Sequence, residues 1–318
     1  MVKVGGVVVV LAIVSALLAW LLLDVYHAPE PHGVPVALVG KGRPVAKVIR
    51  ALEKDGAFEV KRANSGRAAR RLIARREVYG AYAPRAGAGR VLVAGAASPA
   101  AAAVLRTTAR KLDRGRGVST ASTDIRRLPA EDRSGLSPFW LAFAAALVGV
   151  LAGWLLELLV PSVRRGPKLA LVRVAVLLVF SLGAGALMAL AATLQDIYPD
   201  DFLVVGGALA LATFGAATVS SFVTSALGAI VGAIIGLLVF PVLGVVVTSG
   251  GLTAPELIPE IWGTIGSGLP GQSVVELLRN LVYFDSEAIS MPLIVLGAYA
   301  LGGVVLMLAL SPFRRLGR

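Results

Sequence analysis

Six apolar segments limit what this chain can fold into. The first runs from about Val4 to Leu23, a polar stretch follows from Asp24, and the other five lie between Pro138 and Leu310. A helix rises about 1.5 Å per residue, so about 20 apolar residues cross a hydrocarbon core about 30 Å thick. These lengths predict a mainly α membrane protein with six transmembrane helices, one and then five, and a small external α/β domain inserted after the first. The expected parts are an anchor at 1–23, an extracytoplasmic domain at 24–136 and a five-helix transmembrane domain at 137–318. Composition agrees: 57% of residues are hydrophobic, and the mean hydropathy is +0.80, above the level of soluble domains. The absence of cysteine excludes a disulfide framework, a thiolate metal site and a cysteine nucleophile.

The charges set the orientation. Of 31 Lys and Arg, 22 fall between Asp24 and Gly135 against 10 acids, so the polar domain carries the whole net charge of +12. Long domains translocate largely regardless of charge, and the short loops decide. Pro161 to Lys168, with Arg164 and Arg165, and the tail Phe313 to Arg318 are basic and belong in the cytoplasm. Asp196 to Asp201 carries three acids and no base and belongs outside. Both termini are then expected inside and residues 24–136 outside. A removable signal peptide is the competing reading of the N-terminus, but the apolar run exceeds a signal core and Asp24 to Ala28 offers no small-x-small cleavage site.

The remaining spans are placed at about Pro138 to Val160, Leu169 to Leu194, Phe202 to Thr224, Gly228 to Thr248 and Ile289 to Leu310. Gly228, Gly232 and Gly236 recur every four residues and present bare backbone to another helix, in this chain or in a second copy. Thr213, Thr218 and Ser221 in the fourth span need partners in hydrocarbon, either a carbonyl one turn back or a group across a helix interface, and the stretch reads either as local back-bonding or as a polar substrate path. Glu157, the acid set inside the second span, has three open readings: pairing with Arg164 or Arg165, snorkelling to the interface, or a functional intramembrane charge. Between the last two spans, in residues 250–287, Leu257, Ile258, Ile261, Trp262 and Ile265 fall at helical spacing, Gly266 to Gly271 (with Leu269 and Pro270) breaks the pattern, and Val274, Val275, Leu278, Leu281 and Val282 resume it. This predicts a hairpin of two amphipathic helices at or dipping into the outer interface.

In the polar domain, Val34–Val39, Phe58–Lys61, Val78–Ala83 and Val91–Ala94 read as strands. They alternate with helical patterns over 45–52, 68–73 and 100–112, the order of a small α/β domain. Arg67, Arg70, Arg71, Arg75 and Arg76 lie mostly on its helices. That face is either simply solvated or attracted to an anionic surface, and external placement disfavours nucleic acid. No phosphate-binding loop of the GxxxxGK[ST] type, no HExxH frame and no GxSxG elbow occurs, so no catalytic, cofactor-binding or metal constellation is expected and the chain is read as a non-enzyme.

The anchor, external α/β domain and five further spans resemble the type-two permeases of ABC exporters, in their phage-infection-protein-like (YhgE/Pip) branch. Val34 to Gly40 (VPVALVG) and Val78 to Ala81 are similar to its ectodomain strands. Leu128 to Phe139 (LPAEDRSGLSPF) resembles its junction into the second span, although Asp132-Arg133-Ser134 departs from the family's order there. Leu257 to Pro259, Leu269 to Pro270, Leu278 to Arg279 and Tyr283 to Phe284 are similar to its outer hairpin. The interfacial helix that precedes the first span in larger members has no counterpart in Met1 to Lys3.

The resemblance implies a bacterial plasma-membrane subunit that exports a lipid-like or amphiphilic substrate. It would draw on ATP through a separate ABC ATPase subunit and work as a homo- or heterodimer of permeases among membrane lipids. Arg164, Arg165 and Lys168 would contact the ATPase, unless they serve only as positive-inside anchors. The alternative is a non-transport receptor or secretion-assembly scaffold that presents the basic ectodomain.

Overall fold

The computed structural model describes residues 2–27, 29–40, 43–53, 56–84, 87–160 and 166–313. The chain opens with helix α1 (Val2–Tyr26) and passes into a five-stranded mixed sheet. Its strands are β1 (Val34–Val39), β2 (Phe58–Ala63), β3 (Gly80–Ala83), β4 (Ala88–Val93) and β5 (Ser119–Asp124), in spatial order β2-β1-β3-β4-β5. Helices α2 (Arg43–Glu53), α3 (Gly66–Ala74) and α4 (Pro99–Arg114) connect them. β1 pairs parallel with β2 and β3, with Val36 opposite Val60 and Gly80, while β3 and β4 run antiparallel and β5 returns parallel to β4.

Apolar β-branched side chains explain β1, whose Val34, Val36 and Leu38 are buried against Ile73 and Val93 in one cluster. β5 reads Ser-Thr-Ala-Ser-Thr-Asp and is mostly exposed, so no apolar alternation announces it. It exists because β4 offers an open edge and because Asp113 is held beneath it. Asp113 is fully buried and accepts hydrogen bonds from Tyr82, from Thr120 at 2.6 Å and from Arg116 at 3.1 Å. A buried carboxylate is tolerable only when surrounded by donors in this way.

Five helical segments among the described residues are long and apolar enough to cross a membrane: Ser137–Leu159, Pro167–Thr193, Phe202–Leu227, Ala229–Val247 and Ser290–Ala309. They are α5 (Ser137–Leu159), α6 (Pro167–Thr193), α7 (Phe202–Leu227), α8 (Ala229–Leu237) continued by a π-helix (Leu238–Val247), and α11 (Ser290–Phe313). Each lies within a few residues of its predicted place. In α1, the apolar stretch with described side chains covers Ser15–Tyr26; Leu21 and Val25 pack on Val247 and Ile258, while Leu17, Trp20 and Leu23 face outward.

α7 is the central helix because it is built from small residues. Gly, Ala, Ser and Thr fill its inner faces and α5, α6, α8 and α11 close upon it. The contacts are backbone to backbone: a Cβ on Gly153 of α5 would overlap the Ala217 carbonyl, and one on Gly185 of α6 would overlap the Gly206 carbonyl. Gly303 of α11 lies against the Thr218 side chain, which a Cβ there would overlap.

The predicted glycine face of the fifth span is corrected in part. Gly232 and Gly236 do pack, against Thr224 of α7 and Val150 of α5 within the same chain, but Gly228 has φ +92° and nothing within 4 Å of a would-be Cβ. It ends α7 and starts α8 by adopting a conformation other residues rarely reach.

The hairpin comprises a 3₁₀ turn (Pro255–Leu257), α9 (Glu260–Ser267) and α10 (Pro270–Tyr283). α9 turns apolar side chains outward, with Ile261 and Ile265 exposed. α10 does not: Gln272, Ser273, Arg279 and Asn280 are buried along with Val274, Val275, Leu277 and Leu278. It is enclosed by α5, α7, α11 and the π-helix, because protein covers what a surface helix would give to headgroups.

Candidate functional site

The α/β domain, the hairpin and one end of the helical bundle meet in a polar junction. At its centre is Asp132, in the turn that leads into α5. Its carboxylate accepts from the backbone N–H groups of Leu136 and Ser137, both at 3.2 Å, and so caps α5, whose first turn carries no other side-chain cap. Negative charge there also suits the positive end of the helix dipole. Tyr283, the last residue of α10, donates to Asp132 at 3.1 Å, and the Tyr283 and Tyr198 hydroxyls are 3.1 Å apart. Three segments far apart in sequence are thereby tied to one carboxylate.

Arg279 lies one turn before Tyr283 on α10. It is 4% exposed and donates to the carbonyls of Gly251 at 3.0 Å and Gly135 at 3.4 Å. Burial, and secondarily the charge of Arg76, lower its pKa. Burial likewise raises the pKa of Tyr198 and Tyr283, for which Asp132 is a further cause.

Beside this network a cavity of about 290 Å³ opens between the sheet and the hairpin. Arg76, Tyr79, Glu256, Glu276 and Asn280 line it. Tyr79 donates to Glu256 at 2.8 Å and Arg76 Nε donates to Asn280 at 2.9 Å. The Arg76 guanidinium lies 4.8 Å from the Phe284 ring centre, within cation–π range. Burial pushes the Glu256 carboxyl above its ordinary value, a shift that Tyr79, by donating to the charged form, opposes. Arg76, read from sequence as part of a basic face, is therefore partly buried and engaged, whereas Arg67, Arg70, Arg71 and Arg75 are exposed.

Further bonds fasten the α/β domain to the hairpin. Ser98 caps α4 by accepting from Ala101 and also donates to the Thr253 carbonyl at 2.6 Å, and Arg126 pairs with Asp285 at 2.6 Å. Most buried apolar residues of the sheet, hairpin and bundle form one contiguous cluster, with smaller ones around Val247 and Ile258 and around Leu177, Ala217 and Met307.

The predicted hairpin residues gather here with different roles. Pro259 and Leu269 cap α9 and α10, and Pro270 is the buried first residue of α10. Trp262 donates to Asp24 at 3.3 Å, joining the hairpin to the end of α1. Phe284 is fully buried under Arg76 and Arg126.

At the opposite end of the bundle, Glu157 finds its partner. Its expected partners Arg164 and Arg165 lie outside the described residues, and Lys168 is exposed. The ion pair is instead with Arg173 of α6, with both side chains buried. Ser221 of α7 donates to the same Glu157 oxygen at 2.7 Å. Nε and Nη1 of Arg173 have no hydrogen-bond partner among the described residues.

Arg173 is the residue the sequence reading passed over, though a lone cation inside the third apolar run was the signal for it. The hydroxyls divide between the two expected modes. Thr218 bonds back to the Phe214 carbonyl at 2.9 Å, while Ser220 reaches the Val150 carbonyl across to α5 at 3.0 Å. Thr213 is buried without a partner for its hydroxyl among the described residues.

No group of three or more His, Cys, Asp or Glu is placed to hold a metal ion among the described residues. The junction offers hydrogen-bond donors, carboxylates and a cation–π platform, which suit binding and mechanical linkage. Compared with known protein families, curated proteins and solved structures, the chain gives no match.

Proposed function

We propose that this chain is the membrane permease-like subunit of an ABC-type exporter, which moves an amphiphilic substrate outward with a separate ATPase subunit. In this reading α1 is a sixth span, both termini are cytoplasmic and the α/β domain is extracytoplasmic. The observation that carries it is the broken fifth span. α8 gives way inside the span to a π-helix, Leu238–Val247, around Pro241, which has no N–H to give a regular ladder. Interrupted membrane helices expose backbone groups where transporters bind and gate.

α10 crosses this π-helix backbone to backbone: a Cβ on Gly271 would overlap the Gly244 carbonyl. The Thr248 hydroxyl donates to the Leu243 carbonyl at 2.8 Å, the same acceptor that takes the Thr248 backbone N–H at 3.0 Å and closes the last π-turn. A crossing without side chains can slide, and the polar junction would pass its movement to the α/β domain. The cytoplasmic loop 161–168 is the proposed ATPase contact.

The test is purification of the full chain with a candidate ATPase. Co-purification and ATP hydrolysis stimulated by amphiphiles are expected, with the stimulation lost in Gly271→Val. No co-purification and no stimulated hydrolysis would refute the reading. A receptor or secretion-assembly scaffold is the second reading, favoured by the exposed arginines of α3, and stable capture of an anionic envelope component without any ATPase would support it.

A further inference from the structure

A second cleft lies on the other side of the junction, where the α6–α7 connection meets the segment that leaves β5. Its volume is about 430 Å³, within the range of small-ligand sites. Arg126 and Arg127 line one part, Asp200 and Asp201 another, and Tyr198 and Tyr283 contribute to the lining. The charges are not spent on each other. No ion pair joins either arginine to either aspartate among the described residues; Arg126 pairs with Asp285, outside the lining, and Arg127 is exposed. Burial, and then the adjacent Asp200, raise the pKa of Asp201.

The position is equally specific. Asp200 and Asp201 sit in the short connection between two helices that are long enough to span a membrane. On either side of that connection, Leu194 is 76% and Leu203 82% exposed. A ligand seated in the cleft thus has bare apolar surface beside it at the level where headgroups meet acyl chains. Two guanidiniums and two carboxylates line separate parts of the cleft, with Asp285 beyond the lining on Arg126, and such a division suits a group carrying both charges. Guanidinium is the preferred partner for phosphate. Carboxylates favour an ammonium that donates hydrogen bonds, whereas a quaternary ammonium is held by open aromatic faces. Here the two tyrosines face each other edge-on with centroids 6.1 Å apart, and their hydroxyls are already bonded.

We infer that this cleft binds the headgroup of a zwitterionic phospholipid with a primary ammonium, its phosphate toward Arg126 and Arg127 and its ammonium toward Asp200 and Asp201. The inference rests on the membrane reading but not on transport: lipid binding without ATPase stimulation would remove the permease proposal and leave this one standing.

The test is native mass spectrometry of the delipidated full chain, titrated with phosphatidylethanolamine, phosphatidylcholine, phosphatidylglycerol and soluble glycerophosphoethanolamine. Phosphatidylethanolamine is expected to bind about tenfold more tightly than the other three. Arg127→Ala and the pair Asp200→Asn with Asp201→Asn should each weaken it about tenfold with Tm unchanged, and Lys47→Ala, far from the cleft, should not. Equal binding of the lipids, undiminished binding by the variants, or glycerophosphoethanolamine binding as tightly as the intact lipid would overturn the assignment.

Discussion

Replacing Arg173 by Met tests the buried charge pair directly. Glu157 and Arg173 are only 7% and 2% exposed at their side chains, so the substitution leaves a carboxylate with a single neutral donor, Ser221. Removing one partner of a buried pair costs about 3–5 kcal/mol. At about 2 °C of Tm per kcal/mol for a chain of this size, the variant should melt about 6–10 °C lower. Glu157→Leu alone should cost a similar amount, because it strands Arg173, two of whose guanidinium nitrogens already lack partners.

The double variant Glu157→Leu with Arg173→Met should return to the parent Tm or exceed it. Replacing both charges by apolar groups of similar size removes two desolvation penalties along with one attraction. Ser221→Ala should cost only about 0.6 kcal/mol, the average for a hydrogen bond between membrane helices. Thermal unfolding of the detergent-solubilised protein, followed by circular dichroism, completes the double-mutant cycle. If Arg173→Met costs under about 1 kcal/mol, or if the double variant is as unstable as the sum of the singles, the two charges are not coupled and the reasoning fails.

Two further outcomes follow from the packing and the junction. Gly153→Val drives a side chain into the Ala217 carbonyl, whereas Gly183 on the outer face of α6 has nothing within 4 Å. Overpacking predicts a loss of about 1–3 kcal/mol or more for the first and a change within about 0.5 kcal/mol for Gly183→Ala, both read from Tm. For Glu256, the folded pKa lies above the unfolded value, so the native state holds the proton more tightly. Stability is then greatest below the ordinary glutamate value and falls as pH rises toward the raised one. Tm measured across that interval should decline in the parent relative to Glu256→Gln, and parallel curves would show that Glu256 does not titrate in the junction.

Hydrophobic runs made the spans legible from the sequence. A helix in hydrocarbon must satisfy its own backbone and must be about 20 residues long, so length and apolarity alone locate it. The same holds for β1 and α4, whose apolar run over Val34–Val39 and helical pattern over 100–112 state their structure locally. β5 escaped because Ser and Thr carry no apolar period, and it forms only on the edge of β4.

The partners of polar groups were not legible, because they are fixed by which helix faces which. Glu157 was read with the arginines nearest in sequence, yet small residues let α5, α6 and α7 approach so closely that Arg173 and Ser221 reach it from two other helices. α10 has the pattern of a surface helix and is buried, since periodicity reports which residues are apolar and not how many sides are covered. The sequence by itself determined that the chain carries helices long and apolar enough to cross a membrane and where they run. Only the tertiary structure decided which charges meet and where the clefts open, because those depend on contacts between residues whose separation along the chain carries no signal.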